Sequence, residues 1–287
     1  MTQQPTVTFR EEDHSYTSQD GHRYLSVTTL IGKYHEHFNA KKVATAYARK
    51  MSKMVTDPNW SPEWIKPQYW IDKWEANTQR ACTRGSAFHL KKELEVLAQT
   101  GQTTSNREGY NYSQDYSLLP TGLWLTELLV YDPYWGIAGQ IDKVWLDEDW
   151  FDIRDLKTNA EMKLQSYCRE IPTALSNMGI GDPIREYKMM FFPVNHLMDS
   201  NYWHYALQLS IYAYLVEKLT GKTCRTLTLE HHKPLSETEV DPIATEYEVP
   251  YLKNEVELLL QHHFQKPLPE NPLDFLAKQA QDLNLGY

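Results

Sequence analysis

Two aspartates and a lysine stand close together in the segment GIAGQIDKVWLDEDWFDIRDLKTN, residues 136–159. If 136–146 and 150–157 pair as an antiparallel hairpin turning at Glu148-Asp149, Leu146 faces Phe151, Val144 faces Ile153 and Asp142 faces Asp155. Directly opposed side chains share a face, with Cβ atoms about 4.5–5.5 Å apart. Lys157, two residues beyond Asp155, falls on that face too. The ribbon then carries an apolar stripe that ends in two carboxylates and an ammonium. Opposed like charges destabilise a sheet, and partial burial sharpens the repulsion. A divalent cation resolves it, because Mg²⁺ and Mn²⁺ take hard oxygen ligands. The chemistry implied is the binding of a divalent cation.

The alternation supports this register, since a one-residue slip sends either the apolar residues or the carboxylates to the wrong face. The plainer alternative is two surface aspartates on a solvated hairpin with Lys157 exposed beside them. Glu-Asp is also a poor two-residue hairpin loop, which leaves room for a longer turn.

The elements that must position this hairpin can be read along the chain. Residues 5–31 predict a small β unit, with TVTF and HRYLSVTTLI flanking a turn at Ser18–Gly21. A helix follows from Asn39 as N-cap. The Pro- and Trp-rich stretch 56–67 reads as a loop, and apolar residues at three- and four-residue spacing predict a long helix over 68–99. Residues 102–120 are polar, aromatic and aperiodic. Strands are expected at 123–131, 136–146 and 150–157, then an insertion of helix plus hairpin over 159–201. The clearest helix spans 203–219 and stops at Thr220-Gly221. CRTLTLEHH and ATEYEVPY read as late edge strands, and LKNEVELLLQHHF as a closing helix. Strands flanked by helices make an α/β chain with a mixed sheet. The expected organisation is a single domain over 1–287: an N-terminal β unit and helix to 67, a core over 68–230 and a C-terminal extension over 231–287.

Composition narrows the partners. With 29 Lys+Arg against 38 Asp+Glu, the formal charge is −9, which argues against a broad basic field that coats nucleic acid. A local basic groove on an acidic body is still permitted, and 9 Trp and 19 Tyr permit stacking surfaces. The 3 Cys are scattered without a CxxC pair, so no zinc ribbon, disulfide framework or four-cysteine iron–sulfur cluster is expected. No apolar run approaches the roughly 18 residues of a membrane span, and the N-terminus lacks a signal-like segment, so a soluble protein is expected.

Gly139-Gln140-Ile141-Asp142 followed by Asp155-Leu156-Lys157-Thr158 resembles the GxxD…DxKT signature of RecB-type PD-(D/E)xK nucleases. Arg84-Gly85-Ser86-Ala87-Phe88-His89 is similar to the family's G-x-x-x-H motif, and Gln208-Leu209-Ser210-Ile211-Tyr212 to its Q-x-x-x-Y helix. SVTTLIG followed by a helix is similar to phage-encoded members and to the mitochondrial genome-maintenance exonuclease. The pieces stand in the family's order over 84–212, with 102–120, 159–201 and the last sixty or so residues outside the pattern.

The resemblance implies a PD-(D/E)xK core that hydrolyses DNA with one or two Mg²⁺ or Mn²⁺ ions. Asp142, Asp155 and the backbone carbonyl of Leu156 would be metal ligands, and Lys157 would position or activate the water or stabilise charge at phosphorus. His89 would be a further ligand, with Gly85 one turn earlier leaving room for close backbone packing or a phosphate. Gln208 and Tyr212, four residues apart on one helix face, would line the groove and bond the DNA backbone or the lysine. Arg84 is a candidate phosphate contact; Glu93 and Glu127 are candidates for a supporting acidic shell. Each has a plainer reading, as a solvated helix residue, a polar seam or an exposed strand residue. The resemblance further implies an exonuclease acting on single strands or ends, in a bacterial or phage-infected cytoplasm, with recombination or replication proteins as possible partners. An endonuclease of the same fold, or an idle copy acting as a DNA-binding or assembly factor, are the competing expectations. The neighbouring pairs His35/His37, His231/His232 and His262/His263 read as surface histidines, since adjacent residues point apart.

Overall fold

The computed structural model describes residues 7–10, 12–101, 116 and 119–269. The expected loop at 102–120 therefore falls almost wholly outside the described residues, as does the tail from 270. The N-terminal unit has three strands, β1 (Val7–Arg10), β2 (Ser15–Ser18) and β3 (Arg23–Ser26). The turn expected at 18–21 lies between β2 and β3, where Gly21 takes φ +84°. The apolar run after it does not continue as a strand. Ser26 instead accepts the amide of Thr29 at 3.1 Å and caps α1 (Val27–Gly32). The expected strand through Ile31 is thus corrected: a cap outweighs the β propensity of the valine and threonines.

Asn39 caps α2 (Ala40–Met51) as expected, accepting from the Lys42 amide at 2.9 Å. A single 3-10 turn (Pro62–Ile65) leads into α3 (Pro67–Thr100), which Pro67 opens and a left-handed Gly101 closes. The loop's tryptophans bond locally, Trp60 Nε1 donating to the Met51 carbonyl and the Trp64 carbonyl accepting from Nε1 of Trp70 in α3.

The central sheet is mixed. β4 (Leu123–Asp132) pairs along the length of β5 (Ile137–Leu146), and β5 turns back into β6 (Trp150–Lys157). Val144 faces Ile153 and Leu146 faces Phe151, in the register the alternation requires. The Glu148-Asp149 turn avoids the left-handed backbone its residues disfavour; Lys222 Nζ holds it by donating to the carbonyls of Asp147 and Glu148 at 2.6 Å each.

The stretch 159–201 holds a small hairpin, β7 (Cys168–Ile171) with β8 (Ile184–Tyr187), around a one-turn α4 (Ala174–Asn177). α5 (Asn201–Thr220) is apolar around most of its circumference, and Ala206–Val216 are all buried. It is enclosed by α1, the sheet and α6 (Lys253–Phe264), so it needs no solvent-facing polar side.

β9 (Thr223–His231) pairs parallel to β6 and antiparallel to β10 (Thr245–Glu248). The expectation of two edge strands is corrected: β9 is internal and β10 alone closes that side. The same placement corrects His231 and His232, which are buried rather than on the surface. Each keeps a polar partner, His231 Nε2 at 2.8 Å from the Asn159 carbonyl and His232 Nδ1 at 2.8 Å from that of Asp241.

On the side of β5 away from β4, the edge is shared. β6 takes 143–146 and β3 takes Ile137 and Ala138, so among the described residues no strand pairs with 139–142 there. The sheet is split at that point.

Candidate active site

A cleft of about 690 Å³ opens at the split, and Gly139, Gln140 and Asp142 are among its lining residues. Asp142 and Asp155 would be the next opposed pair of the β5–β6 ladder, which ends one pair earlier at Lys143 and Arg154. Asp142 Oδ2 instead accepts the backbone amide of Leu156 at 2.7 Å. The two carboxylates thus flank the point where β6 leaves β5 and continues along β9. Parting strands leave the two carboxylates out of a directly opposed ladder pair.

Asp155 is almost wholly buried, and Lys157 Nζ lies 2.5 Å from its Oδ2. The ammonium also sits 4.4 Å from the ring centre of Tyr205 and 3.4 Å from Gln208 Oε1. Gln208 Nε2 donates in turn to Tyr212 Oη at 3.1 Å. Tyr205, Gln208 and Tyr212 come from one face of α5, so the buried helix presents a polar stripe to the lysine and nowhere else near it.

From the opposite wall, α3 brings His89 Nδ1 to 3.4 Å from Asp142 Oδ1. Glu127 arrives from β4, opposite Asp142 in the register between Thr126–Lys143 and Leu128–Ile141. Its φ of +51° takes it out of the regular ladder, a conformation a non-glycine residue adopts at a cost. One ligand atom each from His89, Glu127 and Asp142 lies within 4.8 Å of the others. These acidic and imidazole groups could bind a metal ion.

The electrostatics separate the two aspartates. Burial pushes both carboxyls up. For Asp142 the charge and hydrogen bond of His89, with Lys157 and the Leu156 amide, outweigh burial and bring it down to about 2. For Asp155 burial and the charge of Asp142 outweigh Lys157 and hold it up, at about 6. Burial alone would lower His89 and Lys157, but the carboxylates raise both. Lys157 is therefore an ammonium at neutral pH.

Gly85 lies in the cleft wall, where a Cβ would come 3.2 Å from Thr158 Oγ1. Arg84 points elsewhere: its Nη1 donates to the Ser236 carbonyl at 3.2 Å, and it is absent from the cleft lining. Glu93 is buried on α3, one turn beyond His89, and does not line the cleft. Tyr205 was not expected from the sequence; its signal is the spacing of three and seven residues to Gln208 and Tyr212. Tyr16 of β2 also lines the cleft, its hydroxyl raised by burial and by the nearby charge of Glu127.

No protein-family model matches the chain, and no curated protein matches it. Solved structures overlap with it loosely, among them the following two. A candidate exonuclease of Eubacterium rectale shares 13% identity over 84% of this chain and 78% of its own, with a TM-score of 0.33. The protein SSO0001 shares 14% identity over 86% of this chain and 78% of its own, with a TM-score of 0.32. Overlaps this loose say nothing about chemistry, which has to come from the site itself. Among the described residues, no helix is long and apolar enough to cross a membrane.

Proposed function

We propose that this chain is a metal-dependent deoxyribonuclease of the PD-(D/E)xK type. The observation that carries the reading is the convergence of Asp142, Asp155 and Lys157 in one cleft, with His89 and Glu127 closing on Asp142. The donor set fits a hard divalent cation. Asp142 and the buried Asp155 both line the cleft, and burial together with the charge of Asp142 raises the proton affinity of Asp155, a conflict a cation would remove. Asp142, Asp155 and the Leu156 carbonyl would hold Mg²⁺ or Mn²⁺, with His89 and Glu127 available for a second ion or for the wider coordination of the first. When bound, the cation neutralises phosphate charge and lowers the pKa of its water.

The residues do the rest. Hydrolysis adds water oxygen to phosphorus and breaks the bond to the 3′ oxygen, which leaves with a proton. Lys157 would position or activate the attacking water, or act as a fixed cation at the equatorial phosphate oxygens. Tyr205 and Gln208 fix its position from one side and Asp155 from the other. Gly85, with no side chain, lets the α3 wall pack closely on Thr158, whose Oγ1 would stand 3.2 Å from a Cβ there. The split in the sheet makes the cleft a groove open to solvent, suited to a strand or a free end, and an exonuclease on single strands or ends is the form favoured.

The test is direct. Purified protein is incubated with end-labelled linear single strands, linear duplex and circular DNA, with Mg²⁺, Mn²⁺ or EDTA, beside Asp155→Ala and Lys157→Ala. Metal-dependent cleavage lost in both variants, with circles spared, is expected. Cut circles would make it an endonuclease. No cleavage under any condition would overturn the enzyme reading.

A further inference from the structure

Beyond the cleft, α2 and the first half of α3 form a two-helix arm. α2 buries Ala44, Ala48 and Met51 and packs chiefly on α3 and the 3-10 turn rather than on the sheet. Its charge departs from the rest of the chain. Overall, 38 acidic residues outnumber 29 basic ones, yet residues 39–54 hold Lys41, Lys42, Arg49, Lys50 and Lys53 and no acidic residue. All five are exposed. A run of this kind on an acidic body is an electrostatic footprint for a polyanion.

Aromatic rings stand beside that charge. Phe38 is 66% exposed and Tyr47 44% exposed, and both lie edge-on to Trp74, with ring centres 5.3 Å and 5.9 Å away. Trp64 and Trp70 are satisfied by packing within the arm, but a phenyl ring two-thirds in water gains little from it. Trp74 also begins a stripe that runs on through Thr78, Cys82, Gly85 and His89, at spacings that hold one helix face. The last four line the cleft. From Trp74 to the near edge at Thr78 is about 6 Å along the axis, and to His89 about 22 Å. That reach corresponds to roughly four nucleotides, the lower end of single-strand site sizes.

We propose that the arm is a stacking platform for single-stranded nucleic acid. Bases of an unpaired strand stack on Phe38, Tyr47 and Trp74 while the basic residues of α2 follow its phosphates, and the strand passes along α3 into the cleft. A duplex cannot use the platform, because its base faces are already stacked on one another. The proposal goes beyond the nuclease reading by assigning the surface that receives an unpaired strand, and it rests on that reading for the strand's destination only.

Binding is measured in EDTA by fluorescence anisotropy of labelled oligothymidylate and of a duplex of equal length, using the full chain. Phe38→Ala carries the test, since so exposed a position leaves the fold intact, as circular dichroism verifies. It should weaken single-strand binding roughly ten-fold and leave duplex binding unchanged. Trp74→Phe should bind like the parent and Trp74→Ala more weakly. Lys50→Glu/Lys53→Glu should reduce the salt dependence of binding. Unchanged single-strand affinity in Phe38→Ala, or an equal loss on duplex, overturns the platform. Because no cleavage is read, a protein that cuts nothing but shows the Phe38 effect loses only the nuclease reading. One that cuts DNA with Phe38→Ala silent loses only the platform.

Discussion

A Cβ placed on Gly139 would lie 2.5 Å from Cε1 of Tyr212. No side chain tolerates that approach, so β5 and α5 meet here only because one residue has no side chain. Tyr212 in turn bonds Gln208, and Gln208 reaches Lys157. The glycine of the GxxD segment thus sets the helix against the strand that carries Asp142.

Gly139→Ala should destabilise the protein by about 1–3 kcal/mol through overpacking and lower cleavage by displacing Tyr212. In a Tyr212→Ala background the same change should cost far less. A double-mutant cycle from denaturant unfolding measures this coupling, and additive effects would refute the contact.

Gln208→Leu should cut kcat by roughly 10–100-fold with KM for DNA nearly unchanged, since it removes the partner that orients Lys157 rather than a contact needed for binding. Lys157→Arg should not retain the parent's activity, because a planar guanidinium does not fit the place of a compact ammonium between Asp155, Gln208 and Tyr205. Steady-state kinetics on a labelled strand checks both.

The raised carboxyl of Asp155 gives a pH dependence. Metal binding needs the carboxylate, so affinity for Mn²⁺ and activity should rise with pH through about 6 and level off above it. In the metal-free protein the sign reverses. The folded state binds this proton more tightly than the unfolded one, so Asp155 opposes folding more as pH climbs from about 4 to about 6. Asp142, held down at about 2, contributes stability that is lost only as pH falls from the ordinary carboxylate range toward 2. The rise in Tm on adding Mn²⁺ should therefore be larger at pH 7.5 than at pH 5.5, and absent in Asp155→Asn. Equal shifts at both pH values would contradict the assignment.

Glu127 separates backbone from side chain. Its φ of +51° suits glycine, so Glu127→Gly should be more stable than Glu127→Ala by about 1 kcal/mol. Both should bind Mn²⁺ more weakly than the parent, since each removes one of the three groups that converge beside Asp142. Thermal melts and Mn²⁺ titration of the pair test the two effects.

Local physics made much of this legible. The alternation of apolar and acidic residues along 136–157 determined the hairpin register, because one slipped residue would bury charge. The Asn39 cap and the Thr220-Gly221 stop bounded their helices, because unpaired helix-end groups select those residue types. The same period-based reading failed at Val27–Ile31, where a serine cap turned a β-rich run into a helix, and at β9, where nothing local tells an internal strand from an edge. It also left His231 and His232 on the surface, since burial is set by which strand packs alongside.

What the sequence by itself determined was the chemistry available: two carboxylates, a lysine, a histidine and a glutamine–tyrosine pair at spacings that place each on a usable face of its own element. Tertiary structure decided which of them meet. Arg84 turned away to Ser236, Glu127 swung in beside Asp142 on a left-handed backbone, and Tyr205 came beneath the Lys157 ammonium. Those outcomes depend on the split between β3 and β6 and on the seating of α5 against Gly139. Contacts between elements far apart in the chain are settled by packing, which no local periodicity encodes.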